Sequence, residues 1–211
     1  PGDDATTMLF AAPAIADYAI NRPLEHAPGT HWQYSSGTTN ILSRLMFDKS
    51  GGTLKQAVHF ARKRLFEPLG MTSAVIEADE AGVPIGSSYI YATARDWARF
   101  GLLYLNEGRI GARQLLSKRW IDFVRTPAPG TPRTVYGGQF WLNRGPAAEK
   151  GRLFKDLPED CYMALGHNYQ IVAIIPSART VIVRLGWTPE DREFDVNKHF
   201  ARILSALGPA K

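Results

Sequence analysis

Cysteine is almost missing from this chain. Cys161 stands alone, so no intrachain disulfide can form and no thiolate cluster can hold a metal. The compartment stays open, since a cytoplasmic and a periplasmic setting both fit. Long apolar runs are also missing: nothing approaches the roughly 20 residues of a membrane span. No signal peptide is expected from the opening residues. Charge of one sign does not gather either. Lys and Arg number 25 against 20 Asp and Glu, a net +5, and the densest basic cluster is the short Arg62-Lys63-Arg64. A nucleic-acid binder carries a basic stripe. The excess here reads as solvated surface, and no nucleic-acid partner is expected.

Several catalytic signatures are lacking as well. The five histidines include no pair at i, i+4, and no carboxylate-rich cluster joins them, so no metal is expected. There is no glycine-rich phosphate loop ending in Lys-Ser or Lys-Thr, and no Gly-x-Gly-x-x-Gly. There is no Gly-x-Ser-x-Gly elbow. Ser-x-x-Lys, in which a lysine one helical turn away deprotonates a serine, is absent too. The chain also starts at Pro1 rather than methionine, which sets the expectation of a processed or truncated product.

What is present is an ordinary globular balance, 45% hydrophobic and 21% charged over 211 residues, enough to bury a sizeable core. After a Pro- and Ala-rich opening with a short helical candidate at 14–19, Ile41, Leu42, Leu45 and Met46 recur at helical spacing between Thr39 and Phe47. Thr53-Leu-Lys-Gln56 fits a capping box, with Ala57, Phe60, Ala61 and Leu65 as the apolar face and Pro68 and Gly70 as the stop. Thr93-Ala-Arg-Asp96 opens a third helix carrying Trp97, Phe100, Leu103 and Tyr104, ended by Gly108. Ser117 caps a fourth, with Trp120, Ile121 and Val124.

Beyond Pro127 the chain turns to loops around a short strand at 138–142. Gln170 to Ile175 and Thr180 to Leu185 are β-branched runs joined by Pro176-Ser-Ala-Arg179, an antiparallel hairpin. A last helix is expected over 194–207. The fold class is α+β, an antiparallel sheet flanked by helices. Residues 39–126 are mostly helical, and 136–211 hold the hairpin and the closing helix.

Two segments offer chemistry. In His31-Trp-Gln-Tyr34-Ser-Ser36-Gly-Thr-Thr-Asn40, Tyr34 is either a proton-relay base, with Ser36 in the same hydrogen-bond network, or an aromatic anchor where a loop meets a helix. In Ala164-Leu-Gly166-His167-Asn-Tyr169-Gln170, at the start of the hairpin, Gly166 permits close approach. The N–H after it either stabilises an oxyanion or belongs to a plain bulge beside a surface histidine.

Taken together, these segments resemble the later portion of serine β-lactamase/penicillin-binding-protein-type hydrolases, in the branch of 6-aminohexanoate-oligomer hydrolases and class C β-lactamase-like esterases. The stretch from Pro28 through Tyr34-Ser35-Ser36 to Asn40-Ile-Leu resembles the loop with the family's Tyr-x-Asn or Tyr-x-Ser motif. Gly86-Ser87-Ser through Gly101 resembles the segment leading into a helix of the helical subdomain. Gly166-His-Asn-Tyr-Gln170 resembles the strand that replaces Lys-Thr-Gly.

The resemblance implies a β-lactamase/transpeptidase-like fold and acyl transfer to serine followed by hydrolysis, without a cofactor. It implies Tyr34 as the base and Ser36 at the second motif position. It implies the His167 N–H, with Gly166, as half of an oxyanion hole, and Ser87, Tyr169 and Trp187 as pocket residues. The implied partners are a small ester or amide substrate and a missing N-terminal portion bearing the nucleophile, without which this chain is inactive. Tyr169 departs from the glycine common in relatives and narrows the pocket. The alternative is a non-catalytic pseudoenzyme or binding module on the same fold. Exposed apolar surface where the missing portion belongs would make the isolated chain unstable or prone to associate.

Overall fold

The computed structural model describes residues 4–145, 151–188 and 194–208. Pro1 lies outside the described residues. The chain divides into two compact units, Pro1–Thr93 and Ala94–Lys211.

The first unit is mostly helical. It contains α1 (Asp4–Ala11), α2 (Ile15–Ile20), α3 (Ser36–Ser50), α4 (Leu54–Ala61) and the short α5 (Glu67–Leu69), followed by the two-residue antiparallel strands β1 (Val75–Ile76) and β2 (Ile90–Tyr91). Helix α3 starts three residues before the expected Thr39, because Ser35 caps it: the Ser35 Oγ accepts a hydrogen bond from the Thr38 N–H at 3.4 Å. The expected apolar stripe is also displaced. Leu42 and Leu45 are exposed, while the buried positions are Asn40, Ser43 and Phe47. The reason is what α3 packs against. Its inner face meets the backbone around 84–87, which supplies partners for buried polar side chains, so hydropathy alone picks the wrong stripe.

Thr53 caps α4 as expected, and its partner Gln56 returns to the Thr53 hydroxyl. The Thr53 hydroxyl accepts from the Gln56 N–H at 3.3 Å and donates to Gln56 Oε1 at 2.7 Å. Ala57 is fully buried, but Phe60 is 43% exposed. Pro68 does not end the helix. The backbone widens into a π-helical turn over Arg62–Phe66 and runs on through Pro68 to Gly70, whose φ of 68° closes it. Proline removes one donor from the i→i−4 ladder, and the wide turn lies just where that ladder would fail. Further along, the Asp79 carboxylate accepts from the Ile15 and Val83 N–H groups, both at 2.9 Å. It thereby fixes the start of α2 against the loop after β1.

The second unit holds a four-stranded antiparallel sheet in the order β5-β6-β7-β8, formed by β5 (Trp141–Leu142), β6 (Tyr162–Gly166), β7 (Gln170–Ile175) and β8 (Thr180–Arg184). It is joined by α6 (Ala94–Leu105), the small pair β3 (Arg109–Ile110) and β4 (Arg113–Gln114), α7 (Lys118–Val124) and α8 (Val196–Leu207). The β7–β8 hairpin pairs Ile171 with Arg184 and Ile175 with Thr180, as its β-branched runs require.

One face of the sheet places Met163, Ile171, Ala173, Ile175 and Ile182 against Val196 and Phe200 of α8. On the other face Val172 and Val181 meet α6 at Gly101. A Cβ built there would lie 2.6 Å from Val181 Cγ1 and 3.1 Å from Val172 Cγ1. The glycine is a packing requirement, and it lets the helix rest directly on the strands. The sheet therefore lies between α6 and α8. Helix α8 begins at Val196 rather than at 194 because Asp195 caps it, accepting from the Lys198 N–H at 2.8 Å.

Two strand expectations change. Only Trp141–Leu142 of 138–142 is strand. Gly137 and Gly138 instead press their backbone onto the end of α7. A Cβ on Gly137 would sit 2.2 Å from the Val124 oxygen, and one on Gly138 would sit 2.6 Å from Phe123 Cε1. And β6 precedes the hairpin read from the sequence, so residues 166–170 form the turn of an earlier hairpin, β6–β7, with Gly166 paired to Gln170.

Candidate functional site

In the first unit, Tyr34 sits just ahead of the α3 cap and is 53% exposed. Ser36 is the first residue of α3. Asn40, one turn further and 1% exposed, ties this region together. Its Nδ2 donates to the Ser36 carbonyl at 2.9 Å and to Ser87 Oγ at 2.9 Å, and its Oδ1 accepts from the Gly86 N–H at 3.0 Å. Ser43 adds a bond from its hydroxyl to the Pro84 carbonyl at 2.5 Å.

The loop can come this close because residue 86 has no side chain. A Cβ there would lie 2.9 Å from Ser43 Cβ and 3.0 Å from the Thr39 oxygen. The structure thus brings Ser36 and Ser87 together, two of the residues named from sequence. It does so through Asn40, which sequence reasoning placed within a motif but gave no role. The signal that could have found it is a lone amide at a helical position flanked by Ser36 and Ser43, where a core residue belongs.

In the second unit, Gly166, His167 and Tyr169 form the end of β6 and its turn. Gly166 has φ −107° and ψ 172°, an extended conformation open to any residue. What it avoids is crowding, since a Cβ there would be 3.1 Å from Gln170 Cβ. Beside the turn is a cleft of about 700 Å³ whose lining includes Phe154, Leu165, His167, Tyr169, Phe194 and Val196. The Tyr169 ring meets Phe194 edge-on at 6.1 Å, and Phe194 stacks on His199 at 4.8 Å. Trp187 is 76% exposed and touches the His167 ring edge-on at 6.3 Å, outside the cleft lining. The Gln170 side-chain amide pairs with Gly186: its Nε2 donates to the Gly186 carbonyl at 2.6 Å, and its Oε1 accepts from the Gly186 N–H at 2.9 Å. The strand exit that leads to Trp187 is thereby tied to the turn.

Two other groups in this unit carry potential chemistry. Burial, aided by the Asp160 charge, pushes the Cys161 thiol up to about 12, so it holds its proton at neutral pH and is no nucleophile. Burial likewise raises the Tyr162 phenol, which stays protonated. Tyr34, Ser36 and Ser87 belong to the first unit, and Gly166, His167, Tyr169 and Trp187 to the second.

The profile of the beta-lactamase family matches residues 1–206, in agreement with the resemblance drawn from the three segments. Over 100 residues, 47% of this chain, it is 31% identical to lovastatin esterase of Penicillium rubens, of which it covers 21%. Among solved structures it is similar to a protein from Bacillus anthracis that bears the name of a 6-aminohexanoate-dimer hydrolase. That likeness has a TM-score of 0.66 and 24% identity over 90% of this chain and 46% of that one. A beta-lactamase from Mycobacterium bovis gives a TM-score of 0.63 and 16% identity over 86% and 66%. The structural likenesses show a shared fold. The chain spans about a fifth of the esterase and between 46% and 66% of these two structures.

Proposed function

The chain belongs to the beta-lactamase family, and from that premise we propose that it is part of a serine hydrolase cleaving an ester or amide through an acyl-serine intermediate. The observation that carries the reading is the family match along residues 1–206. The chain holds no Ser-x-x-Lys, so the reading assigns the nucleophile to a part of the protein outside these 211 residues.

In this reading the serine Oγ attacks the substrate carbonyl carbon. Its proton passes by way of the Tyr34 phenol to the leaving oxygen or nitrogen as the C–O or C–N bond breaks. Charge builds on the carbonyl oxygen, and the His167 N–H donates to it from a turn already fixed by its hairpin. Water then attacks the acyl ester by the same relay in reverse, and the serine recovers its proton. Ser36 and Ser87, held by Asn40, support the Tyr34 loop. Tyr169 and the cleft beside it receive the substrate's apolar part, and Trp187 flanks the turn. No step needs a cofactor.

The test uses the intact protein. Treatment with a fluorophosphonate is expected to add one adduct, mapped by peptide mass to a serine followed three residues later by lysine, and to abolish hydrolysis of p-nitrophenyl esters. Tyr34→Phe is expected to lower kcat by roughly 10²- to 10⁴-fold, the usual worth of a positioned proton carrier. An adduct on a serine within these 211 residues would refute the placement of the nucleophile. No adduct and no turnover of esters or amides would refute the hydrolase reading.

A further inference from the structure

The β6–β7 turn has a backbone its sequence does not favour. Asn168 lies at φ 54° and ψ 39°, and Tyr169 follows at φ 63°. Asparagine enters the left-handed region easily, but an aromatic residue does so only where its surroundings hold it.

Arg184, the last residue of β8, supplies that hold. Its Nη1 donates to the carbonyls of Asn168 at 3.0 Å, Tyr169 at 2.8 Å and Gly186 at 3.0 Å, and its Nη2 donates to Thr188 Oγ1. The guanidinium lies over the Phe194 ring, 4.4 Å from its centre. Two carbonyls of consecutive left-handed residues thus converge on one cation. The two N–H groups of Nη1 are shared among these two carbonyls and that of Gly186, Nη2 serves Thr188, and the plane still stacks on a ring. A lysine ammonium cannot combine these contacts.

We propose that Arg184 is the positioning residue of this turn. It fixes the peptide planes after His167 and holds Phe194, and with it Tyr169, at the edge of the cleft. This rests on the reading that gives the His167 N–H its role at the oxyanion. Gly166 anchors one end of the turn by strand pairing with Gln170, and Arg184 anchors the other. Without the guanidinium, the turn relaxes toward ordinary backbone angles and the N–H loses its aim.

The experiment compares Arg184→Ala and Arg184→Lys with the parent in the intact protein, by amide exchange at residues 167–170 and by kcat and KM on a p-nitrophenyl ester. Both variants are expected to exchange faster at 167–170 while the β7 amides of Val172 to Ile174 keep their protection, which shows that the fold survives. In Arg184→Ala, kcat is expected to fall roughly tenfold to hundredfold, the scale of a donor misplaced by about an ångström, with KM changed far less. Guanidinium at about 0.1 M, far below its denaturing range, should restore part of that kcat and should not help Arg184→Lys. Parent-like exchange at 167–170 overturns the proposal. A loosened turn with unchanged kcat overturns its catalytic half. A parent that hydrolyses neither esters nor amides defeats the hydrolase reading, and the catalytic half with it, while the exchange data still decide whether Arg184 holds the turn.

Discussion

Replacing Asn40 with alanine tests the construction of the Tyr34 region most directly. The amide is 1% exposed and makes three hydrogen bonds, to the Ser36 carbonyl, to Ser87 Oγ and from the Gly86 N–H. Each such bond is worth about 1 kcal/mol net, and a buried group stripped of its partner costs about 1–3 kcal/mol. Ser36 and Ser87 are half-buried and Gly86 is exposed, so the partners regain some of this from water, while the truncation leaves a small void. The sum comes to about 2–4 kcal/mol, a large share of a typical domain's stability. Ser87→Ala removes only one of the three bonds and should cost about 1 kcal/mol. Because the two residues share a bond, the double variant should be less destabilised than the sum by about 0.5–1 kcal/mol.

The assay is urea unfolding with amide exchange read at Gly86. In Asn40→Ala that amide should exchange far faster, while helix α4 stays protected. A loss below about 1 kcal/mol with unchanged Gly86 protection would mean that the loop is held elsewhere. A gain in stability for Asn40→Leu would mean that the polar contacts are not what the helix face requires.

Three further outcomes are expected. Gly101→Val forces α6 off the strands, because even its Cβ meets Val181 at 2.6 Å; overpacking should cost about 1–3 kcal/mol or more, and pairing it with Val181→Ala should recover part, both measured by thermal unfolding. Cys161, its thiol raised to about 12 by burial, should resist thiol reagents at pH 8 and react on unfolding. In the unfolded chain it ionises near pH 8.5, so between there and about 12 the unfolded state binds fewer protons and stability should fall as pH rises. Tyr169→Gly suits the left-handed φ of 63° and should leave stability within about 1 kcal/mol of the parent while opening the cleft, seen as a higher kcat/KM for bulky esters relative to acetate.

Much of this fold is legible because its signals are local. Thr53 and Ser117 begin helices where their side chains reach the third N–H beyond them, a matter of four residues. The β7–β8 hairpin is written in β-branched runs. The misreadings come where distant contacts decide. Leu42 and Leu45 look like the core side of α3, yet Asn40 and Ser43 are buried there because the 84–87 backbone answers them. Strand β6, Tyr-Met-Ala-Leu-Gly, carries no β-branched residue and is strand by virtue of its neighbours. Gly137 and Gly138 look like a strand start and are a contact with α7. At the candidate site, the residues that face a substrate in the proposed function are visible from motif likeness. The two that hold them, Asn40 and Arg184, are not, since their roles are written in bonds to backbone atoms far along the chain.

That distance separates the two regions in time. Arg184 reaches carbonyls 15 and 16 residues away, from the end of β8 to the turn that precedes β7. Asn40 reaches residues 46 and 47 positions on. Closing the longer loop costs about 1 kcal/mol more in chain entropy, and nothing local repays it until residues 84–87 arrive. The β6–β7 turn should therefore acquire its shape early in folding, and the Tyr34 loop late. On a growing chain α3 would be a helix with an unset leading loop until some 46 further residues had emerged, so a variant that weakens Asn40 should show itself first as slow recovery of that loop after refolding.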